Sequence, residues 1–369
     1  MNIPDKNEVM EKAGRVRGFL QKSGYEAMIL GRQDNFAWFT CGGNNRVVTT
    51  SEVGFSCLVI TKDHIYCIAH VMDGPRTLDD ELQGLYIEPV FLKWYEDSLA
   101  GKAAKLVSGM KAISDVPVEG ADLCVAEIYK LHYPLTEQEI QKLRWIGETA
   151  EEILRKVADE VKPGMTEHEI EAMYLYEYGK INATPEVLLI GSDERIAAYR
   201  HPNPSDKKVQ KLVLLHPALR KWGLHANVTR MIYFGDTLPE EVKNNYEMLN
   251  MLQAQAISMC IPGEKFHRIL DVRKELLEKA GLGNEWEKHF PGGITGYLLC
   301  DASVCGRQDS EVVLNQAYDW FITITGVKAE ELSINTAKGR EVPSVAGRWP
   351  VKEYSFNGQT FKLPQILMK

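Results

Sequence analysis

The sequence predicts an α+β protein in two parts, a smaller α/β domain over residues 1–134 and a larger α+β domain over residues 135–369. Three observations carry that prediction. The first third alternates helical and strand-like stretches. A helix-start signal, Thr136-Glu137-Gln138-Glu139, follows the His132-Tyr133-Pro134 loop and opens the second part. Beyond it one order of elements occurs twice. A helix stopping at Pro163-Gly164 leads to a second helix and strands, and about a hundred residues later a helix stopping at Pro262-Gly263 leads to a shorter helix and more strands. Two such α-α-β-β units would each bury a helix face on a sheet face about a pseudo-twofold axis. Common helix-stop chemistry would leave the same punctuation without symmetry, so both readings stand at this point.

The elements follow in order. Lys6–Ser23 has helical periodicity and leads to the apolar strand Ala27–Leu30, then to the segment Asp34–Asn45. Strands are expected at Gly54–Thr61, His64–Ala69 and Leu85–Val90, a helix at Ser98–Met110 and a short strand at Cys124–Ala126. In the second part a helix from Glu137 is apolar at Ile140, Leu143, Leu154, Val157, Ala158 and Val161. Thr166-Glu167-His168-Glu169 caps the next, to about Gly179. Strands at Glu186–Ile190 and Lys211–Leu215 follow, then helices over Pro239–Cys260 and on to Ala280. Val213–Arg230, VLLHPALRKWGLHANVTR, reads as a hairpin turning at Lys221-Trp222-Gly223, with His216 and Asn227 able to face one another across it.

Composition limits the function. The chain has 369 residues, 44% hydrophobic and 25% charged, which is enough to bury a full core. A net charge of −8 and the lack of a Lys/Arg block argue against nucleic acid or an anionic membrane as partner. No apolar run reaches the length of a membrane span, and the charged amino terminus has no secretion-signal pattern. Seven scattered cysteines without a C-x-x-C pair read as free thiols of a cytoplasmic protein.

Three segments could carry chemistry. In GSDERIAAYRHPNPSD, Arg195, Arg200 and His201 stand in or beside a proline-bracketed loop, where a histidine can exchange protons near neutral pH. In KHFPGGITGYLLCD, Gly292 and Gly293 either let a backbone approach a ligand or serve a tight strand crossing. Glu330 and Glu331 are adjacent, so on a strand at most one points into a cleft. There is no nucleophile elbow, phosphate loop, H-E-x-x-H or zinc spacing.

Taken in order, these segments resemble the creatinase / aminopeptidase P / prolidase family, whose fold is called pita-bread. DNFAWFTCGG is similar to the family's amino-terminal N-x-x-Y/W-x-T-G pattern, and KPGMTEHEI to the stretch between its first two catalytic-domain helices. RHPNPSD is similar to the pattern around its substrate-side histidine, and the hairpin ending Asn227-Val228-Thr229-Arg230 to one ending D-x-T-R. The resemblance implies a pita-bread carboxy-terminal domain, a creatinase-type amino-terminal domain, a small-molecule or short-peptide substrate and a homodimer. The family's metallopeptidases bind two metal ions through Asp, Asp, His, Glu and Glu. Carried over, those positions are His216, Asn227, Gly293, the neighbourhood of Phe321, and Glu330; a second family histidine falls near Cys300. Two divalent ions need several anionic oxygens, and this set has one. His216 with Glu330 lacks a third ligand for a single zinc.

The resemblance therefore implies a hydrolase of C–N bonds in a small peptide-like or amidine-like substrate, without metal or other cofactor, as creatinase works. His201 would be the acid/base, with Glu330 binding a cation or orienting water. Arg195 or Arg200 would hold a carboxylate, Gly292 and Gly293 would give room and backbone donors, and His216, Asn227 and Glu331 would contact substrate. The alternative is a catalytically inactive pita-bread ligand-binding protein, with His216 simply a satisfied core histidine.

Overall fold

Asp5 and Gly24 set the limits of the first helix, Lys6–Ser23. The Asp5 carboxylate accepts from the Asn7 N–H, and Gly24 closes the helix at φ 73°, where a side chain would be strained. The computed structural model describes residues 5–301, 303, 305 and 310–369, and the chain divides into units Met1–Gln138 and Glu139–Lys369. In the first unit a mixed six-stranded sheet runs in the order Glu88–Leu92, Ile65–His70, Val53–Thr61, Ala27–Arg32, Ala112–Ser114, Ala121–Leu123. Ala27, Ile29, Val59, Ile68 and Val107 are among the side chains of its core. Two expectations shift here. The strand placed at Cys124–Ala126 lies at Ala121–Leu123, because its parallel partner ends at Ser114, and Val125–Tyr129 is helical. The segment from Asp34 contributes a helix, Gln33–Phe39, that buries Phe36, Trp38 and Phe39.

The second unit holds the helices Glu137–Glu160, which starts at the boundary, Glu167–Lys180, Glu240–Met259 and Phe266–Lys279. The repeat read in the sequence is present in the hydrogen bonds. Gly164 donates to the Val209 carbonyl and Val209 to Met165; in the other half Gly263 donates to Val312 and Val312 to Glu264. Thr166 bridges Lys208 in one half, and Lys265 bridges Glu311 in the other. Turn chemistry alone would not reproduce the same pairing to a distant strand, so the two halves are structural repeats. One half carries the sheet Leu367–Met368, Arg230–Tyr233, Leu212–Lys221, Thr184–Ser192, and the other carries Gly293–Thr295, Gln316–Asp319, Leu332–Thr336, Gly339–Glu341.

The hairpin turns at Trp222-Gly223, both at positive φ, so Lys221 pairs with Leu224 and the register continues to Ala218 opposite Asn227. His216 and Asn227 are therefore diagonal neighbours rather than directly opposed, and alternation keeps both on one face of the sheet.

Gly292 and Gly293 serve a strand crossing. A Cβ on Gly292, whose φ is 89°, would lie 2.2 Å from the Asp319 carbonyl oxygen and 2.6 Å from the Phe321 nitrogen, and Gly293 pairs with Asp319 in the sheet. Gly292→Ala should cost at least about 2 kcal/mol by clash and backbone strain together, against about 1 kcal/mol for Gly164→Ala, where φ is 93° but the space is open. Urea unfolding midpoints compare the two.

Candidate active site

A cavity of about 450 Å³ opens in the second unit over the strands Thr184–Ser192 and Leu212–Lys221. Its polar lining is Glu186, His201, Asn203, His216, Asn227, Lys328 and Glu330, and Phe290, Leu299 and Phe321 are among its apolar walls. His216 comes from the centre of its strand. Asn227 ends the return strand, and Glu330 follows the hairpin Ile322–Ile324/Val327–Ala329 and bridges Thr229. His201 reaches the cavity from the loop beyond the short helix Glu194–Ala198.

The carboxylate of Glu330, fully buried, is the hub. Its Oε2 lies 3.2 Å from the Lys328 ammonium, 3.2 Å from His216 Nδ1 and 3.2 Å from the Thr229 hydroxyl, which donates to it. His216 Nδ1 is also 2.8 Å from the Thr229 oxygen. Behind Glu330, Asp319 accepts a hydrogen bond from the Asn227 amide. Asp319 Oδ1 and Glu330 Oε1 are both buried and have no N–H or O–H donor among the described residues. Burial and the neighbouring Glu330 raise the Asp319 carboxyl well above its ordinary range, and it retains a proton that Glu330 accepts. Burial also raises Glu330, opposed by Lys328.

Burial first, and the Lys328 charge second, lower all three nearby imidazoles: His201, His216 well below the usual value, and His289 to about 4. These shifts favour the neutral forms of Asp319 and of the three histidines, while Glu186, hydrogen-bonded by His225, is lowered to about 2.

Of the sequence-predicted residues, His201, His216, Asn227 and Glu330 line this one cavity. Arg195, Arg200, Glu331, Gly292 and Gly293 do not. Arg195 is 3.2 Å from the buried Glu167 and donates to the Asn203 carbonyl, and Arg200 pairs with Glu285 and Thr325. Glu331 points to the other side of the chain, paired with Arg230 and bonded by the Ser344 hydroxyl. In the structure these side chains make contacts outside the cavity lining rather than standing in it. Three residues went unread. Lys328 shares a strand face with Glu330 by alternation, a signal that was available. Asp319 and His289 gave none, being brought in by strand pairing and by contact with His201 far away in the sequence.

Residues 141–314, just under half of the chain, match the model of metallopeptidase family M24, and the fold is of the pita-bread type. It is 27% identical over 143 residues to methionine aminopeptidase 1 of Saccharomyces cerevisiae, covering 37% of each protein. It is 26% identical over 234 residues to an uncharacterized peptidase of Staphylococcus epidermidis, covering 57% of this chain and 66% of that one, so the chain spans less than two thirds of either relative. Among solved structures it is similar to an Xaa-Pro dipeptidase from Bacillus anthracis (TM-score 0.75, 17% identity, 98% of this chain and 100% of that one). A prolidase from Pyrococcus horikoshii is also similar (0.73, 19%, 90% and 98%). These likenesses show the fold.

The family's name implies metal ions, and the donors present do not fit a two-metal centre. Among the described residues no cluster of three or more His, Cys, Asp and Glu could hold a metal ion, and Glu330 already carries an ammonium. A second cation at Glu330 would meet like-charge repulsion from Lys328.

The protonated Asp319 sets a pH dependence. Its folded-state pKa lies above the unfolded value, so the folded chain binds more protons, and its contribution to stability is lost as pH rises from about 4 towards the folded value. Asp319→Asn keeps a donor toward Glu330 without a titrating proton. Thermal unfolding between pH 5 and 8 should show wild type losing stability with rising pH more steeply than this variant, by up to about 1.4 kcal/mol per pH unit.

Proposed function

We propose that this chain is a hydrolase of C–N bonds in small peptide-like substrates of the Xaa-Pro type, working without a dinuclear metal centre. The observation that carries the reading is the Lys328 ammonium on Glu330, inside a cavity that His201 also lines. A fixed cation stands among the residues whose counterparts in the family would hold metal. The M24 match and the fold likeness to Xaa-Pro dipeptidases support the peptidase class.

In the proposed reaction a water attacks the amide carbon as the neutral His201 imidazole takes its proton. Negative charge gathers on the carbonyl oxygen, and the cavity-lining Lys328 is the group to face it. The C–N bond then breaks, and His201 returns the proton to the departing nitrogen. Glu330 holds Lys328 and His216 in place, and Phe290, Leu299 and Phe321 give the side-chain subsite an apolar wall. Homodimerisation, implied by the resemblance, reads in light scattering as about twice the 41.7 kDa chain.

Purified protein should cleave an Xaa-Pro dipeptide equally with and without chelator, and elemental analysis should find far less than one divalent ion per chain. His201→Ala should lower kcat by about 10²–10⁴. Because the imidazole is held below its usual value, the acid limb of the rate profile should lie below about pH 6.5. Two bound divalent ions per chain, or turnover undisturbed in His201→Ala, would remove this reading. Dipeptide binding without cleavage would favour a ligand-binding protein.

A further inference from the structure

His289 was assigned no role above, yet its ring meets that of His201. The two Nε2 atoms are 3.1 Å apart, and the rings meet edge to face with centroids at 5.0 Å. Two imidazole nitrogens bond only if one carries a hydrogen and the other does not. The other nitrogen of His289, Nδ1, lies 2.6 Å from the Phe290 carbonyl oxygen. A carbonyl can only accept, so Nδ1 carries the hydrogen. A neutral imidazole has one, so Nε2 of His289 is bare and accepts. The donor across the 3.1 Å contact is then His201 Nε2–H, and the lone pair of His201 is left on Nδ1.

We propose that His289, anchored on the Phe290 carbonyl, is a positioning residue that holds His201 in the Nε2–H tautomer and makes Nδ1 its base. The inference rests on the reading of His201 as the acid/base group. When Nδ1 takes a proton, the imidazolium donates more strongly through Nε2 than the neutral ring did, so the bond to His289 strengthens as charge develops. A carboxylate performs that service in many hydrolases. Here the acceptor is uncharged. The charged and titratable groups that bear on the pair are Lys328, Arg200 and His216. Burial first, then Lys328, favours the neutral form of both rings, and Arg200 adds to this at His289; the relay requires it, since a protonated His289 would have no lone pair to offer. His289 is held further by Phe290, stacked on it, and by Phe321, edge-on at 5.9 Å. It is absent from the cavity lining, so it acts through His201 rather than on substrate.

Long-range ¹H–¹⁵N correlation spectra of histidine-labelled full-length protein read the tautomers in the resting state. The expected result is His289 protonated on Nδ1, the form disfavoured in water, and His201 protonated on Nε2. His289→Phe keeps an aromatic ring but removes the acceptor. It should lower the His201 titration midpoint by about half to one pH unit, because the bond to a charged donor is stronger than that to a neutral one. His289→Gln, whose amide oxygen can accept, should stay near wild type. With an Xaa-Pro dipeptide, His289→Phe should reduce kcat about tenfold and leave KM within about twofold. His289 protonated on Nε2, or an unmoved His201 midpoint in His289→Phe, would overturn the proposal. The predicted tautomers and shift in a protein that cleaves no dipeptide would remove the hydrolase reading and leave the positioning of His201 standing.

Discussion

The ion pair between Lys328 and Glu330 is the constraint on which the rest of the cavity depends. Both groups are buried, at 3% and 0% exposure, and neither would tolerate that environment alone. An unpaired buried carboxylate takes up a proton and an unpaired buried ammonium loses one. Paired at 3.2 Å, each offsets the other's desolvation, and everything else in the site adjusts to them. Asp319, too close to Glu330 for both to be charged, keeps its proton. Burial first and the Lys328 charge second favour the neutral forms of the His201, His216 and His289 imidazoles. The chemistry open to the cavity follows from that charge state: neutral histidines that can accept protons, beside one fixed cation.

The fold was legible in the sequence because it is written in local signals. The helix cap at Thr166 and the turn at Trp222-Gly223 are decided by a few adjacent residues, and the observed elements lie close to where those residues put them. The repeat was legible for the same reason, since Pro163-Gly164 and Pro262-Gly263 mark the same structural corner in each half. What slipped were short strands. Ala121–Leu123 is fixed by the length of its partner, not by its own pattern.

The site was legible only in part, and the division is physical. His201, His216, Asn227 and Glu330 could be placed by resemblance because they stand inside recognisable strings. Arg195, Arg200 and Glu331 stand inside the same strings but are paired with Glu167, Glu285 and Arg230, partners distant in sequence that no local pattern announces. Sequence reading finds which residues could act. Only the folded chain shows which of them line the cavity and which are paired elsewhere.

The cavity is built apart from the residues that hold the fold. The helices and strands of the second unit are held by apolar residues such as Leu143, Leu154, Leu215, Ile257 and Ile334, none of which lines the cavity. The cavity residues can therefore change without disturbing the core, but not one at a time. A carboxylate in place of Asn227 would face Asp319, already forced to keep its proton, and a single ammonium could not balance a third acid. Loss of Lys328 alone would leave Glu330 buried without its cation. Asn227, Asp319, Lys328 and Glu330 form one electrostatic unit, in which a change at one position alters the balance at the others.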